Sequence, residues 1–149
     1  MNKWFLIGCL LAAGCSNQSG AKFEPFSGKA PVIAILLDDL FVGEVEGSLL
    51  GRGTINMQSQ QRAELRCTGQ FQYSSMSYGS GEMQCNNGRM VMFQFESLSM
   101  LSGHGTGTAM PGPMSFTYGL TLYEAEKYLR LPKGKVIRKT DKGLELGSV

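Results

Sequence analysis

The chain reads as an all-β protein, an antiparallel meander of about seven to eight strands forming a small coiled sheet or barrel, with a short C-terminal helix. Three observations predict this. Apolar and polar residues alternate over four separate stretches, the period of a strand with one buried face. Gly-x-Gly pairs at Gly51/Gly53, Gly79/Gly81 and Gly103/Gly105 interleave with aromatic pairs at Phe71/Tyr73, Phe93/Phe95 and Phe116/Tyr118, the latter spaced by 22 and 23 residues. Twenty glycines in 149 residues exclude a mainly helical chain, since each one inside a helix costs about 0.5–1 kcal/mol relative to Ala.

The elements follow in order. Residues 1–14 read as an export signal, with Lys3 at its positive end and Trp4 to Ala13 as an apolar run too short to span a bilayer. Residues 15–31 are rich in turn formers and without periodicity, so they read as a tether. Residues 32–122 read as the β-domain. Val32 to Leu37 form a buried strand ended by a turn at Asp38-Asp39, and Phe41, Val45 and Leu49 alternate with Glu44, Glu46 and Ser48. After a loop from Met57 to Gln61, one continuous strand is expected from Ala63 to Tyr73, with Leu65, Cys67, Gly69 and Phe71 on its apolar face. Val91, Phe93 and Phe95 form the next clear apolar face, and Met114, Phe116, Tyr118, Leu120 and Leu122 the last. Residues 123–149 read as a basic extension. Glu124 to Arg130 favour a short helix stopped before Pro132, and a hairpin is expected around Asp141-Lys142-Gly143. Seven basic and four acidic residues over 121–149 read as a solvated surface.

Parity fixes the turns, because a slip of one residue moves an entire apolar set to the solvent face. Asn86-Asn87-Gly88 must be a three-residue loop with Gly88 left-handed. Ser74 to Tyr78 close a hairpin that sets Phe71 opposite Gly81. Pro111-Gly112 suits the centre of a type II turn, which would set Ala109, Gly107 and Gly105 opposite Met114, Phe116 and Tyr118. Each Gly-x-Gly strand then lies between aromatic strands whose rings cover the missing side chains.

Two stretches resemble known families. Leu11-Ala12-Ala13-Gly14-Cys15 resembles the bacterial lipoprotein signal, which implies cleavage before Cys15, diacylglycerol on its sulfur and an acyl chain on its amine. Ser16 rather than Asp after that cysteine implies sorting to the outer membrane. Phe41-Val42-Gly43-Glu44 followed by Gly51-Arg52-Gly53-Thr54-Ile55 resembles a MORN unit, a β-hairpin repeat, and the likeness runs from Phe41 to Gly119. It implies scaffolding or contact with a membrane or partner, and no reaction. The pattern of Gly-x-Gly, Cys, Asn-Gly and Phe-x-Phe is also similar to small bacterial lipoproteins from which no function follows.

Little chemistry remains. The register that sets Phe71 opposite Gly81 also sets Cys67 opposite Cys85, and in an oxidising periplasm such a pair forms a disulfide. Were Thr68-Gly69 a turn instead, as strict MORN spacing asks, the two cysteines would lie two strands apart, about 9.5 Å. There is no C-x-x-C motif for redox catalysis. His104, the one histidine, lacks the partners that a triad or a zinc site needs. Asp38-Asp39 is better explained as a turn than as a catalytic carboxylate pair. Seven methionines, Met57, Met83, Met90, Met92, Met100, Met110 and Met114, could present thioethers to Cu(I), yet they follow strand periodicity as core fillers do. A net charge of +2 gives no reason to expect a nucleic-acid partner. The expectation is a non-enzymatic, cofactor-free outer-membrane lipoprotein, lipidated at Cys15 and bonded at Cys67 and Cys85. It would bind an envelope protein or polysaccharide. A periplasmic inhibitor of an envelope-degrading enzyme is the second reading, and a methionine-rich copper binder the minor one.

Overall fold

Alternation of this kind leaves each strand one apolar face to bury, and eight such strands can bury it together by closing on themselves. In a computed structural model describing residues 27–149 apart from residue 111, they do so. The strands are β1 (Ser27–Leu36), β2 (Asp39–Ser48), β3 (Arg52–Ser59), β4 (Arg66–Tyr73), β5 (Tyr78–Cys85), β6 (Met90–Ser99), β7 (Ser102–Ala109) and β8 (Pro113–Tyr118). They form a closed antiparallel barrel in chain order, with β8 paired back to β1 from Val32↔Tyr118 to Leu36↔Met114. A short helix, α1 (Leu122–Ala125), and a hairpin, β9 (Lys135–Thr140) with β10 (Gly143–Ser148), follow.

The lumen is a packed core. Val32, Ala34, Leu36, Phe41, Ile55, Met57, Met83, Val91, Phe93, Phe95, Met114, Phe116 and Tyr118 are all buried in it. Its rings meet edge to face, at 5.0 Å between the centroids of Tyr73 and Phe95 and 5.4 Å between those of Phe93 and Phe116, the arrangement that the ring quadrupole favours. Glycine provides the room. Gly81 lies opposite both Phe71 and Phe93, and a Cβ there would collide with the Phe93 ring and the Gln70 carbonyl. Gly79, Gly103 and Gly105 stand in the same relation to Phe95, Tyr118 and Phe116. A void of about 20 Å³ lies among the rings, and one of about 70 Å³ lies at the barrel mouth where Met100 and Leu101 meet Phe71, Tyr73 and Tyr118.

The Asn86-Asn87-Gly88 loop forms as parity requires, with Gly88 at φ 87° and the Cys85 N–H donating to the Arg89 carbonyl. Other expectations need correction. The β7–β8 register is shifted by two residues, so Gly107, Gly105 and Gly103 face Met114, Phe116 and Tyr118; the Ala109 N–H donates to the Gly112 carbonyl. The shift sets Gly107 rather than Ala109 opposite Met114, while Phe116 and Tyr118 meet a glycine in either register. β4 starts at Arg66, not at residue 63, because Ala63 is exposed in the preceding loop. Met57 is buried within β3 rather than in a loop. Leu49 is 67% exposed in the β2–β3 turn, and the lumen face of β2 continues through Gly43 and Gly47 instead. β1 begins at Ser27, within the expected tether, because Ser27 to Pro31 pair with Ser48 to Glu44 of β2.

The C-terminal residues are more than a solvated extension. β1 is buried on both faces from Val32 to Leu36, and its outward side chains Ile33 and Ile35 join Leu40 in a second core. Ala125, Leu129 and Ile137 complete that core, with Leu120, Leu122, Leu131, Leu144 and Leu146 packed around it. Thr121 caps α1 in a capping box with Glu124, and those hydrogen bonds lower the Glu124 pKa. The Arg130 N–H donates to buried Ser115 Oγ at 2.9 Å, fastening the segment to β8.

Asp39 is buried near this seam. Its Oδ2 accepts from Ser59 Oγ at 2.7 Å and from Arg62 Nη2 at 3.2 Å, tying the start of β2 to the β3–β4 loop. Hydrogen bonds to a charged group contribute about 1.5–3 kcal/mol. Asp39→Ala is expected to lower stability by about 2 kcal/mol in urea denaturation, with the barrel's circular dichroism unchanged.

Candidate functional site

The barrel exterior has two unlike sides. Around β8, β1 and β2 it is covered by the C-terminal segment. Around β3 to β7 its outward side chains are exposed and mostly neutral and polar. Thr54, Gln70, Glu82, Met92 and Thr108 form one row across five strands, and Arg52, Gln72, Ser80, Gln94 and Thr106 the next. A lipid-facing barrel shows the opposite pattern, an apolar outer band. Between the longer side chains lies an open groove of about 840 Å³, with Ser80, Gly81, Thr106 and Gly107 among its lining.

A second recess of about 470 Å³ continues from it past Ser80, Gln94 and Thr106 to Tyr78, Glu96 and His104. Here Tyr78 OH donates to Glu96 Oε1 at 3.4 Å, and His104 Nε2 lies 3.9 Å from Glu96 Oε2. The His104 ring stacks on Tyr128 at 4.0 Å, which fixes the far rim of the recess to the C-terminal segment. The groove offers amide and hydroxyl groups that both donate and accept, with Arg52 and Glu82 as its charges. Such a lining suits a neutral polar ligand, held by many weak hydrogen bonds, better than a phosphate or a cation.

Cys67 and Cys85 are directly opposed, with their sulfurs at bonding distance and 18 residues apart in sequence. β4 runs unbroken through Thr68-Gly69, so the turn that would have separated them does not form. A loop of this length contributes about 3 kcal/mol when closed. Thiol titration of the denatured, unreduced protein is expected to find neither sulfur free. Stability should fall by about 3 kcal/mol in Cys67→Ala/Cys85→Ala.

The remaining candidates are not gathered into a site. Cys15 lies outside the described residues. Asp39 is committed to Ser59 and Arg62, while Asp38 sits in the turn at φ 63°. Met57, Met83 and Met114 are in the lumen, while Met90, Met92, Met100 and Met110 are dispersed over the exposed surface. No group of three or more His, Cys, Asp or Glu side chains that could hold a metal occurs among the described residues. Inside the lumen, Ser97 Oγ bridges the Tyr73 and Tyr118 hydroxyls at 2.8 and 2.7 Å. Burial pushes the Tyr118 pKa up, so that phenol stays protonated.

Sequence reasoning missed the groove. Gln70, Gln72, Gln94 and Ser115 were visible only as polar alternates of apolar faces. The signal that separates them is Ser115 and Thr117 buried under the C-terminal segment while the glutamines remain open. Comparison with family models, with curated proteins and with solved structures finds no match for this chain.

Proposed function

We propose that this chain is an outer-membrane lipoprotein of the interaction type, anchored through Cys15. Its barrel would present the β3–β7 groove to another envelope component. The observation that carries the reading is the groove itself: about 840 Å³ of open, nearly neutral amide and hydroxyl surface on the flank that the C-terminal segment leaves bare. A polysaccharide, with its dense hydroxyls and few charges, matches that lining. The role in this reading is binding without catalysis.

Two measurements test this. Lipid labelling should be lost in Cys15→Ala, with release of the protein from membranes; equal labelling of both forms would refute the anchor. Ser80→Trp fills the groove floor at an exposed position and should leave the thermal midpoint unchanged. Against purified envelope polysaccharide, it is expected to weaken retention by about tenfold, the equivalent of 1.4 kcal/mol. Equal retention of wild type and variant would refute the groove as the binding face.

A further inference from the structure

The two ends of the barrel differ in chemistry. The β1–β2, β3–β4 and β5–β6 connections at one end carry Asp38, Arg62, Glu64, Asn87 and Arg89. At the other end, residues 48–51 read Ser-Leu-Leu-Gly, residues 74–77 Ser-Ser-Met-Ser and residues 97–102 Ser-Leu-Ser-Met-Leu-Ser, and none is charged. The tips of these three connections are apolar and open: Leu50 is 77% exposed, Met76 98% and Met100 74%. Among the described residues, Met90 and Met110 are the exposed large hydrophobics at the polar end, 43% and 85% exposed. Exposed large apolar residues shared by three separate loops are a surface that water does not favour.

The path of the chain says what covers it. β1 enters the barrel at this same apolar end, where Ser27 pairs with Ser48 and Leu101 lies over Gly28. Eleven residues separate Cys15 from Ser27, which span at most about 40 Å fully extended. A lipid on Cys15 therefore holds the serine, leucine and methionine loops within reach of the bilayer. Apolar side chains on a scaffold of small hydroxyls suit the headgroup boundary, where each buried methylene adds to a lipid anchor's hold.

We propose that this end of the barrel docks on a phospholipid surface, with Leu50, Met76 and Met100 entering the interface. The inference rests on the reading of Cys15 as the lipidated residue. It orients the barrel end-on, so that the β3–β7 groove faces sideways above the membrane.

Single-cysteine probes read this directly. Leu50→Cys, Met76→Cys and Met100→Cys, each in the full chain and labelled without reduction with an environment-sensitive fluorophore, are reconstituted in vesicles of phosphatidylethanolamine and phosphatidylglycerol. Asn87→Cys at the opposite end is the reference. The three tip probes are expected to shift to the blue and to lose intensity to a quencher carried on the lipid chains, while the Asn87 probe responds to neither. Equal responses at both ends, or tip probes untouched by the lipid quencher, would overturn the docking. Tip probes shielded from an aqueous quencher but not reached by the lipid one would assign the surface to a second copy or another protein, and also overturn it. Lipid labelling of the same samples reads the anchor separately. Labelled protein without tip quenching removes the docking alone, and unlabelled protein with tip quenching removes the anchor alone.

Discussion

A chain ending at Gly119 is expected to lose the native barrel, although all eight of its strands remain. Removing residues 120–149 uncovers Ile33, Ile35 and Leu40, which are between 0 and 9% exposed in the intact protein. Each fully buried aliphatic side chain contributes about 1.5–3 kcal/mol, so the loss is about 6 kcal/mol, comparable to the whole net stability of many domains. Buried Ser115 would also lose the Arg130 N–H. The truncated chain should lack a cooperative urea transition or aggregate, and a native-like transition within about 1 kcal/mol of the intact protein would refute the account. Leu40→Ala makes the same point without truncation, with an expected cost of about 3 kcal/mol.

Phe93→Ala is the second large effect, expected to destabilise by about 4 kcal/mol. The Phe93 ring is 3% exposed, lies edge to face on Phe116 and covers Gly81. Its loss leaves a cavity walled by a glycine that has no side chain to collapse into it, which favours the upper part of the range for such truncations. The measurement is the change in urea midpoint at constant slope. A cost below about 1 kcal/mol would mean that the lumen repacks freely and that the ring-over-glycine pairing is not what holds the strands in register.

Those same pairs explain why much of the fold was legible. Residues on one strand face are bound by parity, so Phe71, Gly81 and Phe93 could be set opposite one another from sequence, and Cys67 fell opposite Cys85 as a consequence. Parity does not distinguish registers that differ by two residues. The β7–β8 turn therefore could not be placed from Ala109 and Gly112 alone, since a glycine faces Phe116 and Tyr118 in both registers and only the residue opposite Met114 differs. Leu49 was misplaced because a turn residue obeys no alternation.

The second core was illegible for another reason. Ile33 and Ile35 showed that β1 has two buried faces, yet nothing in their spacing says which segment supplies Ala125, Leu129 and Ile137. The groove was hidden because Gln70 and Gln94 on open strands look the same in sequence as polar residues beneath a cover. Its shape depends on long side chains standing around Ser80 and Thr106, a property of five strands at once.

The β1–β8 seam sets the order of events in time. Every other pairing in the barrel joins strands adjacent in the chain, whereas Val32 must find Tyr118, and the cover over that seam is made from residues that follow β8, between Leu120 and Leu146. Pairings this distant in sequence delay folding, since the loop entropy is lost before the contact rewards it. A ribosome-bound chain can build hairpins from its N-terminus onward but cannot close the ring until residue 118 has emerged. The barrel therefore remains an open sheet of hairpins until β8 has been made.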